Sequence, residues 1–147
     1  MLLTNQDKKA YIYSKLLNLL MYSGKKNVAR NIIKKSLDKA QYKLKISSKE
    51  DFLVQAIMNI SPDIQIKSKR VGSSVYQVPI PLEMSKRINL GIRFLLKSSR
   101  SRKEYTMIDK LSNELVDAYN GKGLAIKKKD DIHKMAESNK AFAHFNW

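Results

Sequence analysis

Few residues of this chain are equipped for bond chemistry. There is no cysteine, which excludes thiol nucleophiles, disulfide frameworks and cysteine zinc sites. The two histidines, His133 and His144, are too few for a multi-histidine metal centre. A lone imidazole on a helix is usually exposed or satisfied by its neighbours. Gly121-Lys122-Gly123 resembles a fragment of a phosphate loop, but it lacks the full spacing and follows a helical stretch, so it reads as a helix end. Val71-Gly72-Ser73-Ser74 likewise fails the dinucleotide pattern. The acids are scattered through helical stretches beside lysines, as in solvated faces with local ion pairs, and no two form an acid/base couple. Catalysis, a metal and a small-molecule substrate are therefore not expected, and no cofactor is implied.

What remains is electrostatic chemistry. The 147 residues carry 29 Lys plus Arg against 13 Asp plus Glu, a formal net charge of +16. Such a surplus calls for a polyanion, most commonly a phosphate backbone. Arginine is confined to positions 30, 70, 87, 93, 100 and 102, so the charge is mainly lysine. Lysine is a flexible point charge suited to phosphates, whereas the arginine fork makes the specific contacts. Four basic clusters stand out: Lys25 and Lys26; Lys67, Lys69 and Arg70; Lys86, Arg87, Arg93, Lys97, Arg100, Arg102 and Lys103; and Lys127, Lys128 and Lys129. Tyr76, Phe142, His144, Phe145 and Trp147 could stack on unpaired bases. For Phe142 and Phe145, packing in the core is the preferred reading.

The elements that must hold these residues are mainly helical. Ile12, Leu16, Leu19 and Leu20 form one stripe, ended near Ser23-Gly24, and Val28, Ile32, Leu37 and Ala40 form a second. A third begins at Ser48, buries Phe52, Leu53, Ala56, Ile57 and Ile60, and stops at Pro62. The period then changes to two, predicting a β-hairpin of Asp63 to Arg70 with Val75 to Ile80, apolar at its base and basic at its tip. Ile88, Ile92, Leu95 and Leu96 mark a fourth helix. After a basic loop, Met107, Leu111, Leu115 and Ala118 mark a fifth, begun at Thr106 and ended at Asn120-Gly121. A last helix is expected from about Asp130 to Phe145. The expected architecture is a single mainly α domain of about six helices over residues 1–147, with a hairpin at 63–81 that projects from it.

No membrane span is expected. The longest early apolar run, Leu16-Leu17-Asn18-Leu19-Leu20-Met21, is far short of the ~20 residues a span requires. Asp7 and the early lysines fit neither a secretory signal nor an Arg-rich presequence, so the protein is expected to act where it is made.

Three stretches together resemble the family of small-subunit ribosomal protein seven. They are Gly24-Lys25-Lys26 before an apolar helix; Pro62 to Pro81, with Lys69-Arg70-Val71-Gly72 and Tyr76-Gln77-Val78-Pro79; and Ala125-Ile126-Lys127-Lys128-Lys129 continuing through His133-Lys134-Met135-Ala136-Glu137 to Ala141-Phe142-Ala143-His144-Phe145-Asn146-Trp147. The resemblance implies a helical body with a projecting hairpin. It implies a structural role: binding the 3′ major domain of small-subunit rRNA and organising the subunit head. The hairpin, through Lys69, Arg70, Gly72, Ser73 and Tyr76, would lie near the exit-site tRNA and the mRNA path. Small-subunit proteins nine, eleven and thirteen would be neighbours, and Lys140, His144 and Trp147 would make a C-terminal RNA or protein contact.

The chain departs from the family pattern in places. Only residues 1–9 precede the first helix where members commonly carry a basic arm. The usual Gly-Gly of the hairpin is Gly72-Ser73, the usual Trp after the fourth-helix Arg is Phe94, and the usual Arg before the final Trp is Asn146. The short arm and the lysine bias suggest an organelle-encoded member, in a mitochondrial ribosome first and a plastid or bacterial one second. Two other classes fit the residues less well. A free helical nucleic-acid-binding regulator needs a helix whose N-terminal Arg, Asn or Gln read bases, and no helix here clearly offers that face. A nucleic-acid enzyme needs a metal-binding carboxylate cluster or a positioned base, and none assembles.

Overall fold

The computed structural model describes residues 4–145, so Trp147 and Asn146 lie outside the described residues. The elements run α1 (Asn5–Leu20), α2 (Lys26–Leu44), α3 (Lys49–Ile60), β1 (Ile64–Val71), β2 (Ser74–Pro81), α4 (Met84–Arg100), α5 (Met107–Tyr119) and α6 (Leu124–Ser138), followed by a 3₁₀ segment (Lys140–Phe145). The fold is a mainly helical single domain with one antiparallel hairpin.

Local chemistry starts three of the helices. The Thr4 hydroxyl accepts from the Asp7 backbone N–H at 3.2 Å, and the Asp7 carboxylate accepts from the Thr4 backbone N–H at 3.2 Å. Ser48 and Thr106 cap α3 and α5 in the same manner, accepting from Asp51 N–H at 3.3 Å and Asp109 N–H at 3.2 Å. Each such cap is worth ~1 kcal/mol.

The core sits where α3, α4 and α5 meet α1 and α2. Ile12, Leu16, Ile33, Phe52, Ile57, Ile88, Ile92, Leu95, Leu111 and Leu115 are buried in it. Phe52 lies 5.1 Å from the Tyr119 ring. Gly91 lets α4 pass close to the end of α3, because a Cβ there would meet the Ser61 hydroxyl at 2.5 Å and the Ser61 Cα at 3.2 Å.

Two expected elements differ. In α2 the buried face is Ala29, Ile33, Ser36, Leu37 and Ala40, so Val28 and Ile32 are displaced by one residue, and Val28 is exposed. The small Ala29 and Ser36 permit close packing, and the Ser36 hydroxyl reaches across to the Ile108 carbonyl at 3.1 Å. The last helix is the second difference. It starts at Leu124 rather than about Asp130, which brings Lys127, Lys128 and Lys129 into the helix, and it ends at Ser138 rather than Phe145. Its first turn is capped from a distance: the Glu114 carboxylate accepts from the Ala125 N–H at 3.1 Å.

The hairpin pairs Ile64 with Pro81 through to Val71 with Ser74, turning at Gly72-Ser73 with Gly72 at φ +63°. Its base is fixed to the body. Asp63 pairs with Arg87 at 2.5 Å, the Asp63 N–H donates to His133 Nε2 at 3.3 Å, and Val78 is fully buried. Its outer half is also supported. Tyr76 packs 5.0 Å from Phe142 and 4.9 Å from Phe145, and Lys69 donates to the Phe145 carbonyl at 3.0 Å. The break in helix after Ser138 thus carries the 3₁₀ segment back across β2.

Candidate nucleic-acid interface

The candidate interface is organised by α4. No acidic residue occurs between Met84 and Arg100, and Lys86, Arg93, Lys97 and Arg100 are all exposed. At 3.6 residues per turn these four fall within an arc of about 60°, opposite the buried Ile88, Ile92 and Leu95, and recur every ~4–10 Å along the axis. One helix face packs the core while the other presents a row of cations.

Neighbouring elements extend the row. At one end, the Arg100 guanidinium lies 4.9 Å from the Tyr22 ring centroid and reaches the Leu19 carbonyl at 3.5 Å. Tyr22 begins the tight turn that leads into Lys25 and Lys26, its carbonyl accepting from Lys25 N–H at 3.0 Å. Both lysines are exposed at the start of α2, which has no acid in its first turn. Cations at the positive end of a helix dipole are mutually unfavourable until an anion joins them. On the other flank, α6 brings Lys128 toward Lys97. Burial lowers the Lys128 pKa from its ordinary value, the Lys97 charge lowers it further, and Glu114 opposes both. Three clusters far apart in sequence thus meet on one surface.

Other basic residues have different roles. Lys129 donates to the Asn59 carbonyl at 2.9 Å, while Lys127 faces solvent. Arg87 is held by Asp63 and is largely covered. Arg102 departs furthest from the expectation of an RNA contact. Its Nη1 donates to Glu114 at 2.8 Å and Asp117 at 2.9 Å, and its Nε to Glu104 at 3.0 Å. Burial works against its charge, but these three carboxylates outweigh it and hold its pKa above the ordinary value. On the hairpin, Lys67, Arg70, Gly72 and Ser73 are exposed, while Lys69 and Tyr76 are half-buried against the 3₁₀ segment. Lys140 and His144 are exposed at that segment, and His144 lies 4.0 Å from the Phe145 ring.

Several acids are paired away from α4. Asp109 pairs with Lys39, Asp38 with Lys49, and Asp51 with Lys9 at 2.7 Å, all at the α2, α3 and α5 side of the body. The Lys39 hydrogen bond lowers the Asp109 pKa, with Thr106 assisting, and the Lys9 bond does the same for Asp51, with Ser48 assisting. The Asn113 bond is the main cause lowering Glu104. No group of three or more His, Asp or Glu suited to a metal occurs among the described residues. No helix among them is long and apolar enough to cross a membrane.

A family model for "Ribosomal protein S7p/S5e" matches residues 2–140. The chain belongs to the ribosomal protein S7p/S5e family. Members are structural and RNA-binding, so the chain is a ribosomal, rRNA-binding protein and not an enzyme. Among S7p/S5e relatives, "Small ribosomal subunit protein uS7" of Pelagibacter ubique is 48% identical over 136 residues, covering 92% of this chain and 86% of the relative. The protein of the same name from Afipia carboxidovorans is 46% identical with the same coverage. That from Francisella tularensis is 40% identical over 146 residues, 99% of this chain and 93% of the relative. These relatives are bacterial. The sequence resemblance to an S7 protein is thereby established at family level, and an organellar origin does not follow from it.

The sequence misses the role of Tyr22 and the sequestration of Arg102. Only the alternation of acids and bases around Arg102 hinted at the latter: Glu104, Glu114 and Asp117 all follow it within fifteen residues.

Proposed function

We propose that this protein is a structural constituent of the small ribosomal subunit that binds the 3′ major domain of its rRNA and organises the subunit head. The observation that carries this reading is the acid-free face of α4, joined by Lys25 and Lys26 at one end and by Lys128 on its flank. Lysines and arginines on that face would neutralise phosphates and release counterions, and recognition would rest on the folded shape of an rRNA junction more than on base sequence. Arg93, Lys97 and Arg100 are the central contacts, with Lys25, Lys26, Lys127 and Lys128 at the margins. The hairpin tip, with Lys67, Arg70, Gly72 and Ser73 exposed, would lie near the exit-site tRNA and mRNA, a reading that the family resemblance supports. Small-subunit proteins nine, eleven and thirteen would be its neighbours, on the same support.

For the compartment, composition and relatives point in different directions. Lysine in preference to arginine favours an organellar ribosome, mitochondrial first; the bacterial sources of the relatives fit a bacterial cytoplasm. Locating the chain by fractionation of its source cells decides between them.

The test of the main reading is direct. The full chain should bind a transcript of the 3′ major domain, with affinity falling linearly in log salt, and should sediment with the small subunit in moderate salt. Arg93→Gln with Arg100→Gln should weaken both. Unchanged binding in that double variant would remove α4 from the interface.

A further inference from the structure

We propose that the cleft between α1 and the C-terminal half of α4 seats one unpaired nucleotide of the bound RNA. Its base would lie on Leu19, Leu96 and the face of the Arg100 guanidinium, and its flanking phosphates on Arg93 and Lys97. The inference rests on the rRNA-binding reading above and specifies what that surface recognises.

The cleft has a volume of about 370 Å³ and is lined by just those five residues. That volume is at the small end of the ~300–1,000 Å³ typical of sites for small organic groups. Its composition is divided: an apolar floor, three cations, and no acidic side chain in the lining. A phosphate alone has no use for the leucines, and an apolar peptide has no use for three cations. A nucleotide uses both.

Arg100 is also arranged in advance. The Tyr22 ring lies 4.9 Å from its guanidinium, which also donates to the Leu19 carbonyl at 3.5 Å beside the cleft. A planar guanidinium backed by a ring is a surface on which an unstacked base rests. A paired A-form helix keeps its bases inside, so it can reach the cations but cannot fill the floor.

Two larger clefts are chemically unlike this one. One, of about 470 Å³ between α1, α2 and α3, carries Asp38 and Glu50 among its lysines. The other, of about 420 Å³ at the hairpin base, carries Asp63 and Glu137. Both mix carboxylates with their cations, and Asp38 already holds Lys49, whereas the α4 cleft has cations alone. A small neighbouring hollow between the hairpin base and α4 shares Arg93 as its wall, so that side chain stands between two successive depressions along α4.

The experiment compares two RNA hairpins of equal length and charge, one fully paired and one with a single bulged 2-aminopurine, binding to the full chain. The expected result is at least about tenfold tighter binding of the bulged RNA, the scale of one stacked base, with a change in 2-aminopurine fluorescence. Tyr22→Ala should remove most of that preference while leaving affinity for the paired hairpin within about threefold. Leu19→Glu should remove it as well, and because Leu19 touches the core, circular dichroism accompanies that variant. Tyr22 is exposed, so its variant decides if the other unfolds. Equal affinity for the two hairpins with steep salt dependence overturns the nucleotide cleft and leaves rRNA binding standing. A preference that survives both substitutions places the bulge elsewhere and overturns it too. Failure to bind either RNA in moderate salt, while the 3′ major domain transcript is bound, overturns the cleft; failure to bind the transcript as well overturns the proposed function beneath it.

Discussion

Arg102 and Glu114 form an ion pair at 2.8 Å in which the glutamate is fully buried and the arginine retains 23% of its exposure. The same carboxylate caps α6 through the Ala125 N–H, so the pair ties the α4–α5 loop to the start of the next helix. We expect Arg102→Met to cost ~3 kcal/mol in denaturant unfolding, because it leaves Glu114 buried without its counter-charge. The value falls at the low end for a broken buried pair because the Ala125 N–H still serves the carboxylate. Under conditions where the variant remains folded, its RNA affinity should show the wild-type salt slope.

The α4 row makes a different prediction. Arg93→Gln and Lys97→Gln should each reduce the slope of log affinity against log salt by about 0.7–0.9, one phosphate contact apiece. Lys39→Gln, which removes an equal charge from the pair with Asp109, should leave the slope unchanged. Titrations between low and moderate salt give all three slopes. Equal losses in the three variants would mean that net charge, rather than the α4 face, governs binding.

How much of this was legible in the sequence depends on where each signal sits along the chain. Helix α3 is bracketed by Ser48 and Pro62, both local signals, and its five buried residues were all identified. Helix α6 was misplaced because its cap comes from Glu114, ten residues before the helix starts, while Asp130 and Asp131 imitate a first turn. The one-residue error in α2 arose because Ala29 and Ser36 are weak hydrophobic signals that tertiary packing nonetheless buries. Of the interface, the four clusters were visible but their convergence was not. Spacing along a chain cannot show that Lys97 faces Lys128, or that Arg100 folds over Tyr22.

Gly91 predicts a packing cost. Gly91→Ala should destabilise the protein by ~1–3 kcal/mol, as overpacking does, because the new methyl meets both the side chain and the backbone of Ser61. The exposed faces of α3 and α4 are untouched, so RNA affinity of the folded variant should hold while the urea midpoint falls. An unchanged midpoint would show that α3 and α4 part easily, contrary to the close approach described.

Lys128 predicts a proton linkage. Its pKa is lowered in the free protein, by burial first and by Lys97 second, and bound phosphate would restore it. Binding should therefore take up a proton at pH values between the lowered pKa and the ordinary lysine value of about 10.4. Affinity should fall as pH rises through that window and be flat below it. Calorimetry in buffers of different ionisation enthalpy measures the uptake, and Lys128→Gln should abolish it. Uptake persisting in that variant would assign the linkage to another group.

Tyr76 predicts how far the hairpin and the chain's end act together. The ring packs against both Phe142 and Phe145, and Lys69, its register partner on β1, donates to the Phe145 carbonyl. Tyr76→Ala removes both ring contacts, each worth ~0.5–1.5 kcal/mol beyond its buried area. Amide exchange should then quicken at residues 140–145 while α3, α4 and α5 keep their protection, since the core does not include Tyr76. Shortening the turn by removing residues 68–74 should have the same local effect, because it deletes the Lys69 bond, yet leave RNA binding through α4 largely intact. If either change instead unfolds the body or abolishes RNA binding, then the hairpin supports the domain rather than being supported by it.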